Sequence, residues 1–135
     1  MTIWSDRDVE VAYDVVARWR AQPAGTPLRS VSFPAAQRSM CHENAALYVA
    51  EYGGEMVGGF LVERVANAPW VYIRAHSVVL MGNELIDPTL STEDLEAQAF
   101  FEHLGSVQEF RERAQRWAQM PVQVPQPEAA DGSCQ

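Results

Sequence analysis

Near the start of the chain, Val9, Ala12, Val16 and Trp19 recur three or four residues apart, the spacing of one helical face. Ser5 precedes them as an N-cap, Asp8 completes a capping box, and Trp4 and Val9 stand as a hydrophobic staple. Acidic residues at the start and Arg18 and Arg20 near the end suit the helix dipole, so the pattern predicts a helix over Asp6–Ala21. From Gln22 to Ala36, three prolines and a glycine break every regular period. Within that loop, Leu28–Phe33 reads as a short strand or extended arm. Ser39 is placed to cap a second helix, Met40 to about Tyr52, stopped by Gly53-Gly54. Its run of Ala45, Ala46, Leu47, Val49 and Ala50 predicts that it is largely buried.

The period then changes. Glu55–Val65 alternates weakly and reads as a strand, with Gly58-Gly59 marking a bulge or a close approach to the backbone. After the turn at Asn67-Ala68-Pro69, Trp70–Met81 is a long strand that is mostly apolar on both faces, as a covered central strand is. Trp70, Tyr72, Arg74, His76, Val78 and Leu80 share one face; Val71, Ile73, Ala75, Ser77, Val79 and Met81 share the other. Gly82-Asn83 is a two-residue hairpin loop with glycine first, as a type II′ turn requires. That loop sets the register: Met81 faces Glu84, Leu80 faces Leu85, Val79 faces Ile86, and Val78 faces Asp87. His76 and Asp87 then lie diagonally on one face, with backbones roughly 7–8 Å apart, a gap that two side chains can close.

Pro88 ends that strand. Ser91 with Asp94 predicts another helix, stapled by Leu90 and Leu95 and running to His103 or Leu104 before Gly105. Ser106 and Glu109 begin a last one, whose stripe is Val107, Phe110, Ala114 and Trp117 and which ends near Gln119. Pro121–Gln135 holds three prolines and no apolar period, and reads as a flexible tail. No internal repeat is visible. The expectation is one α+β domain over residues 1–120, an antiparallel sheet of three or more strands with the Cys41 helix packed on it.

Composition narrows the function. The 135 residues carry a formal net charge of −8, from 18 acidic and 10 basic residues, which disfavours nucleic acid and anionic membranes but leaves a cationic peptide or protein partner open. Cys41 and Cys134 make no disulfide framework. With no secretory signal and no apolar run near the ~20 residues of a membrane span, the expected setting is the reducing cytoplasm, where a thiol stays free.

Cys41 falls in the first turn of its helix, where unpaired N–H groups and the dipole favour a thiolate. A thiol nucleophile needs a base and a group to orient that base. His76 is the candidate base and Asp87 the candidate orienting carboxylate, with the Cys41 N–H and Gln37 as oxyanion donors and Asn44 lining the cleft. Cys41, His42, His76 and Asp87 are also zinc-ligand types, but no CxxC, HxxxH or HExxH spacing joins them, so neither metal nor cofactor is expected. His42 is expected to point away from the thiol. His103 receives no role.

Cys41 at a helix start, His76-Ser77-Val78-Val79, the Gly82-Asn83 turn and Asp87-Pro88-Thr89 together resemble the transglutaminase-like branch of the papain-like cysteine enzymes. The likeness spans roughly Ser39 to Thr89. It implies a small papain-like fold, with the catalytic cysteine opening a helix against the sheet and His and Asp on successive strands. Ser77-Val78 and Met40-Cys41-His42 differ from the residues usual in that branch, which leaves the acyl acceptor open. The expected activity is a thiol-dependent hydrolase or acyl transferase on an amide-type bond (peptidase, amidase, deamidase or transglutaminase), with a protein or peptide substrate. The alternative is a binding or inhibitor module that keeps the fold without catalysis.

Overall fold

A computed structural model describes residues 4–117 and 120–123. In chain order the elements are α1 (Asp6–Ala21), β1 (Arg29–Ser30), α2 (Cys41–Tyr52), β2 (Glu55–Arg64), β3 (Trp70–Met81), β4 (Glu84–Asp87), α3 (Thr92–Glu96), β5 (Ala99–Glu102), α4 (Val107–Arg116) and β6 (Met120–Gln123). The class is α+β, as expected. The sheet is mixed rather than purely antiparallel: its order is β1-β4-β3-β2-β5, β6 also pairs with β3, and β1 runs parallel to β4.

α1 forms where its period places it, with the reciprocal Ser5–Asp8 capping box intact. Its buried residues are Asp8, Ala12, Val15, Val16 and Trp19, while Val9 is exposed. The helix therefore turns Asp8 into the interior. There the carboxylate accepts from Arg113 Nε (3.0 Å) and Arg116 Nε (2.8 Å) on α4. α1 and α4 cover one sheet face, burying Phe60, Val62, Val71, Ile73 and Phe101 with Trp117. α2 packs on the same face farther along, Ala45 against Val79 and Ile86. Its other apolar positions are not buried as expected: Ala46, Leu47 and Ala50 are exposed, because only one side of the helix meets the sheet. The opposite sheet face carries a smaller cluster of Leu61, Val78 and Phe100, joined by Leu28, Leu85 and Leu90.

Two segments depart from the expected pattern. The helix begun at Ser91 ends at Glu96, and Ala99–Glu102 instead forms β5, antiparallel to β2. Gly58-Gly59 explains why. β2 has no bulge there, since its register with β3 runs unbroken from Glu55↔Leu80 to Arg64↔Val71. Without side chains, the two glycines let Phe110 lie over residue 58 and Phe100 over residue 59. Gly59→Ala would set a Cβ 2.5 Å from the Phe101 carbonyl oxygen and into the Phe100 ring, forcing β5 away from β2. It is expected to cost about 1–3 kcal/mol of stability in denaturant titration. The second departure is at the chain's end. Met120 and Val122 are buried and alternate with exposed Pro121, so the expected tail begins instead as strand β6. The remainder of that tail, with Cys134, lies outside the described residues.

Among the described residues, no helix is long and apolar enough to cross a membrane.

Candidate active site

The site begins with how α2 starts. α1, α3 and α4 each open on a serine whose hydroxyl accepts a backbone N–H, namely Ser5, Ser91 and Ser106. α2 does not. Its N-cap position is Met40, with no side-chain cap, and Ser39 is not the cap that the sequence suggests. Ser39 instead sits at φ 64° in the turn that returns the Met40 N–H to the Gln37 carbonyl (3.2 Å). That left-handed conformation is uncommon outside glycine, and it aims the chain so that Cys41 is the first helical residue. The Cys41 N–H therefore has no intrahelical acceptor.

Asn44 holds this entry in place. It is 1% exposed; its Nδ2 donates to the Gln37 carbonyl (2.8 Å) and to Thr89 Oγ1 (3.0 Å), and its Oδ1 accepts from the Gln37 N–H (2.9 Å). Both donors are thus taken by the protein. Asn44 is a clamp between the Cys41 loop and the Asp87-Pro88-Thr89 corner, not a cleft-lining donor. Gln37 is exposed and is held by its main chain.

The hairpin has the register that its turn dictates. Gly82 adopts φ 64° and Asn83 is not in the positive-φ region, which is the type II′ combination, and Val79↔Ile86, Leu80↔Leu85 and Met81↔Glu84 pair. The diagonal placement of His76 and Asp87 closes to a hydrogen bond of 2.6 Å between His76 Nε2 and Asp87 Oδ2. Both side chains are buried, at 3% and 0% exposure. The other carboxylate oxygen of Asp87 accepts the Thr89 N–H (2.8 Å) and the Leu90 N–H (3.1 Å). With Nε2 committed to Asp87, Nδ1 is the nitrogen left to serve the thiol.

The thiol reaches His76 through an opening in the sheet. The β3 edge away from β2 is paired with β6 over Trp70–Ile73 and with β4 over Val79–Met81. Residues 74–78 have no strand partner on that edge among the described residues. The first turn of α2 meets β3 there. His76 and Ser77 point to opposite faces, and only at an open edge can a single helical turn touch both. The Cys41 thiol is coupled electrostatically to both His76 and His42, and His42 Nδ1 lies 2.6 Å from Ser77 Oγ. His42 thus does not point away from the thiol. Its ring also stands edge-on to Phe110, with centroids 5.9 Å apart. Phe110 in turn lines a cleft of about 430 Å³ with Met56, Val57, Gly58, His103 and Val107.

The electrostatics follow from these contacts. Burial pushes the Cys41 thiol up, but the hydrogen bonds and positive charge of His42 and His76 outweigh it and bring it down to about 6. Burial pushes His76 down, and Asp87 together with the Cys41 thiolate reverses this and raises it to about 9. Hydrogen bonding to Cys41 also raises His42. Between those two values the ionised pair, thiolate and imidazolium, is the stable form. His103 is pushed down by its own burial and by Arg113, whose Nη1 donates to its Nε2 at 3.0 Å. It acts as a packing group. No family model, no curated protein and no solved structure matches this chain.

Proposed function

We propose that the protein is a thiol-dependent hydrolase or acyl transferase of papain-like design that acts on amide-type bonds, with Cys41 as nucleophile, His76 as proton carrier and Asp87 as orienting group. The observation that carries the reading is the buried 2.6 Å His76–Asp87 pair beside a cysteine at the first position of an uncapped helix. Thiolate attack on the substrate carbonyl gives a tetrahedral oxyanion, which the free Cys41 N–H and the Gln37 side chain stabilise. Collapse breaks the C–N bond, the proton on His76 passes to the leaving amine, and a thioester remains on Cys41. Water is the default acceptor. A peptide or protein substrate fits the partly exposed thiol and the neighbouring cleft, which offers apolar Met56, Val57 and Phe110 together with Glu55, Glu102 and Arg111.

With p-nitrophenyl acetate as an acylating probe, the protein should release a stoichiometric burst of nitrophenolate and carry one acetyl group on Cys41 by mass. His76→Gln should lose the burst. A chain that stays unacetylated at Cys41 while its thiol remains accessible to alkylation contradicts the reading. With this ester the acylation rate should rise with pH through about 6, as Cys41 ionises; on an amide substrate, whose leaving amine needs a proton, it should also fall through about 9, as His76 loses its proton.

A further inference from the structure

We propose that His42, held by Ser77, is a second catalytic imidazole that deprotonates the acyl acceptor and so sets the rate of thioester breakdown. The inference rests on the thioester reading above and assigns its second half-reaction to a different residue. His42 is held by Ser77 on one face of β3 while His76 points to the other, both act on the charge of the Cys41 thiol, and they differ in surroundings. His76 is 3% exposed and locked to Asp87, whereas His42 is half-buried at the entrance of the site. An incoming water can reach His42 without displacing buried structure.

Ser77 decides which nitrogen does the work. It is fully buried, and its Oγ stands 2.6 Å from His42 Nδ1. If that nitrogen carries the proton and donates it to Ser77 Oγ, Nε2 keeps its lone pair free as a base. The ring is held further by its edge-on contact with Phe110. Nε2 takes a proton from water as the water oxygen bonds to the thioester carbon. The tetrahedral intermediate collapses, the C–S bond breaks, and the thiolate leaves. The product acid gives its proton to His76, restoring the resting ion pair, and His42 returns its own proton to solvent. Acylation itself prepares His42 for this. The thiolate charge that favours its protonated form disappears once the sulfur carries an acyl group.

The test follows both half-reactions with p-nitrophenyl acetate at a pH above the thiol's titration. Because His42 also helps to hold the thiolate, each variant is compared above its own thiol titration; there His42→Gln should lose roughly 10²-fold in acetate release, the usual worth of a general base, and much less in the burst, so that acetyl-Cys41 accumulates by mass. In His42→Ala, added imidazole should accelerate the slow step far more than the burst. Ser77→Ala should slow acetate release less than His42→Gln does. If the wild-type chain acylates and His42→Gln deacylates as fast as it does, or imidazole accelerates nothing, His42 is a packing residue and this inference falls while the thioester reading survives. If the wild-type chain never acylates, the thioester reading itself falls.

Discussion

Asp87→Asn is expected to slow turnover by roughly 10⁴-fold with the fold intact, the size of effect seen when a catalytic histidine is held in the wrong tautomer. The reason lies in the second carboxylate oxygen. Oδ1 of Asp87 accepts the Thr89 and Leu90 N–H groups, so an asparagine keeps its carbonyl oxygen there and turns its NH₂ toward His76. Nε2 must then accept rather than donate. The imidazole proton moves to Nδ1, which faces the thiol and can no longer take a proton from it. The imidazolium also loses its buried counter-charge. Steady-state hydrolysis and thiol titration should change together while thermal denaturation stays close to wild type. An asparagine variant within tenfold of wild-type activity would show that Asp87 only shapes the corner.

The largest expected effect on stability is far from the thiol. Asp8→Asn should cost roughly 3–5 kcal/mol, because it leaves Arg113 buried without a charge partner. For a domain of this size that lowers the midpoint of thermal unfolding by roughly 10–20 °C. Asp8 is held well below the usual carboxylate range, chiefly by the Arg116 hydrogen bond against the opposing cost of burial, with Ser5 and Arg113 adding to the lowering. The sign follows. Its folded value lies below its unfolded one, so the stabilisation is complete above the ordinary carboxylate range and is lost progressively as the pH falls below it. The wild type should therefore lose stability in acid more steeply than Asp8→Asn, which differential scanning calorimetry across the acid range would read directly.

How legible the molecule was depended on the reach of each signal. The His76–Asp87 pair was legible because a two-residue turn sets strand register by local geometry, and register sets which side chains share a face. Cys41 was legible from the helix period and the glycines that end it. His42 was not, since neighbouring helical residues diverge by about 100° and do not ordinarily serve one group. It does so here because, among the described residues, β4 and β6 leave the β3 edge away from β2 open over residues 74–78, and β6 lies some forty residues beyond that gap. β5 was hidden for a related reason. Leu95 to Phe101 suits a helix locally, and the slot above Gly59 that receives Phe100 decides for a strand. Asp8 read as part of a cap, which it is, while its guanidinium partners stand 105 and 108 residues away. The serine caps of α1, α3 and α4 were all read from sequence. At α2 the same signal misled, because the turn through Ser39 leaves the helix start without a side-chain cap.

The most direct test of the central claim is the ionisation of Cys41 itself, followed by ultraviolet thiolate absorbance in a Cys134→Ser background so that one thiol reports. The expected midpoint is about 6, moving up toward an ordinary thiol when Asp87 becomes asparagine. A wild-type midpoint already at roughly 8.5, the value of an unperturbed cysteine, would mean that His76 and His42 do not hold a thiolate, and the catalytic reading would fail.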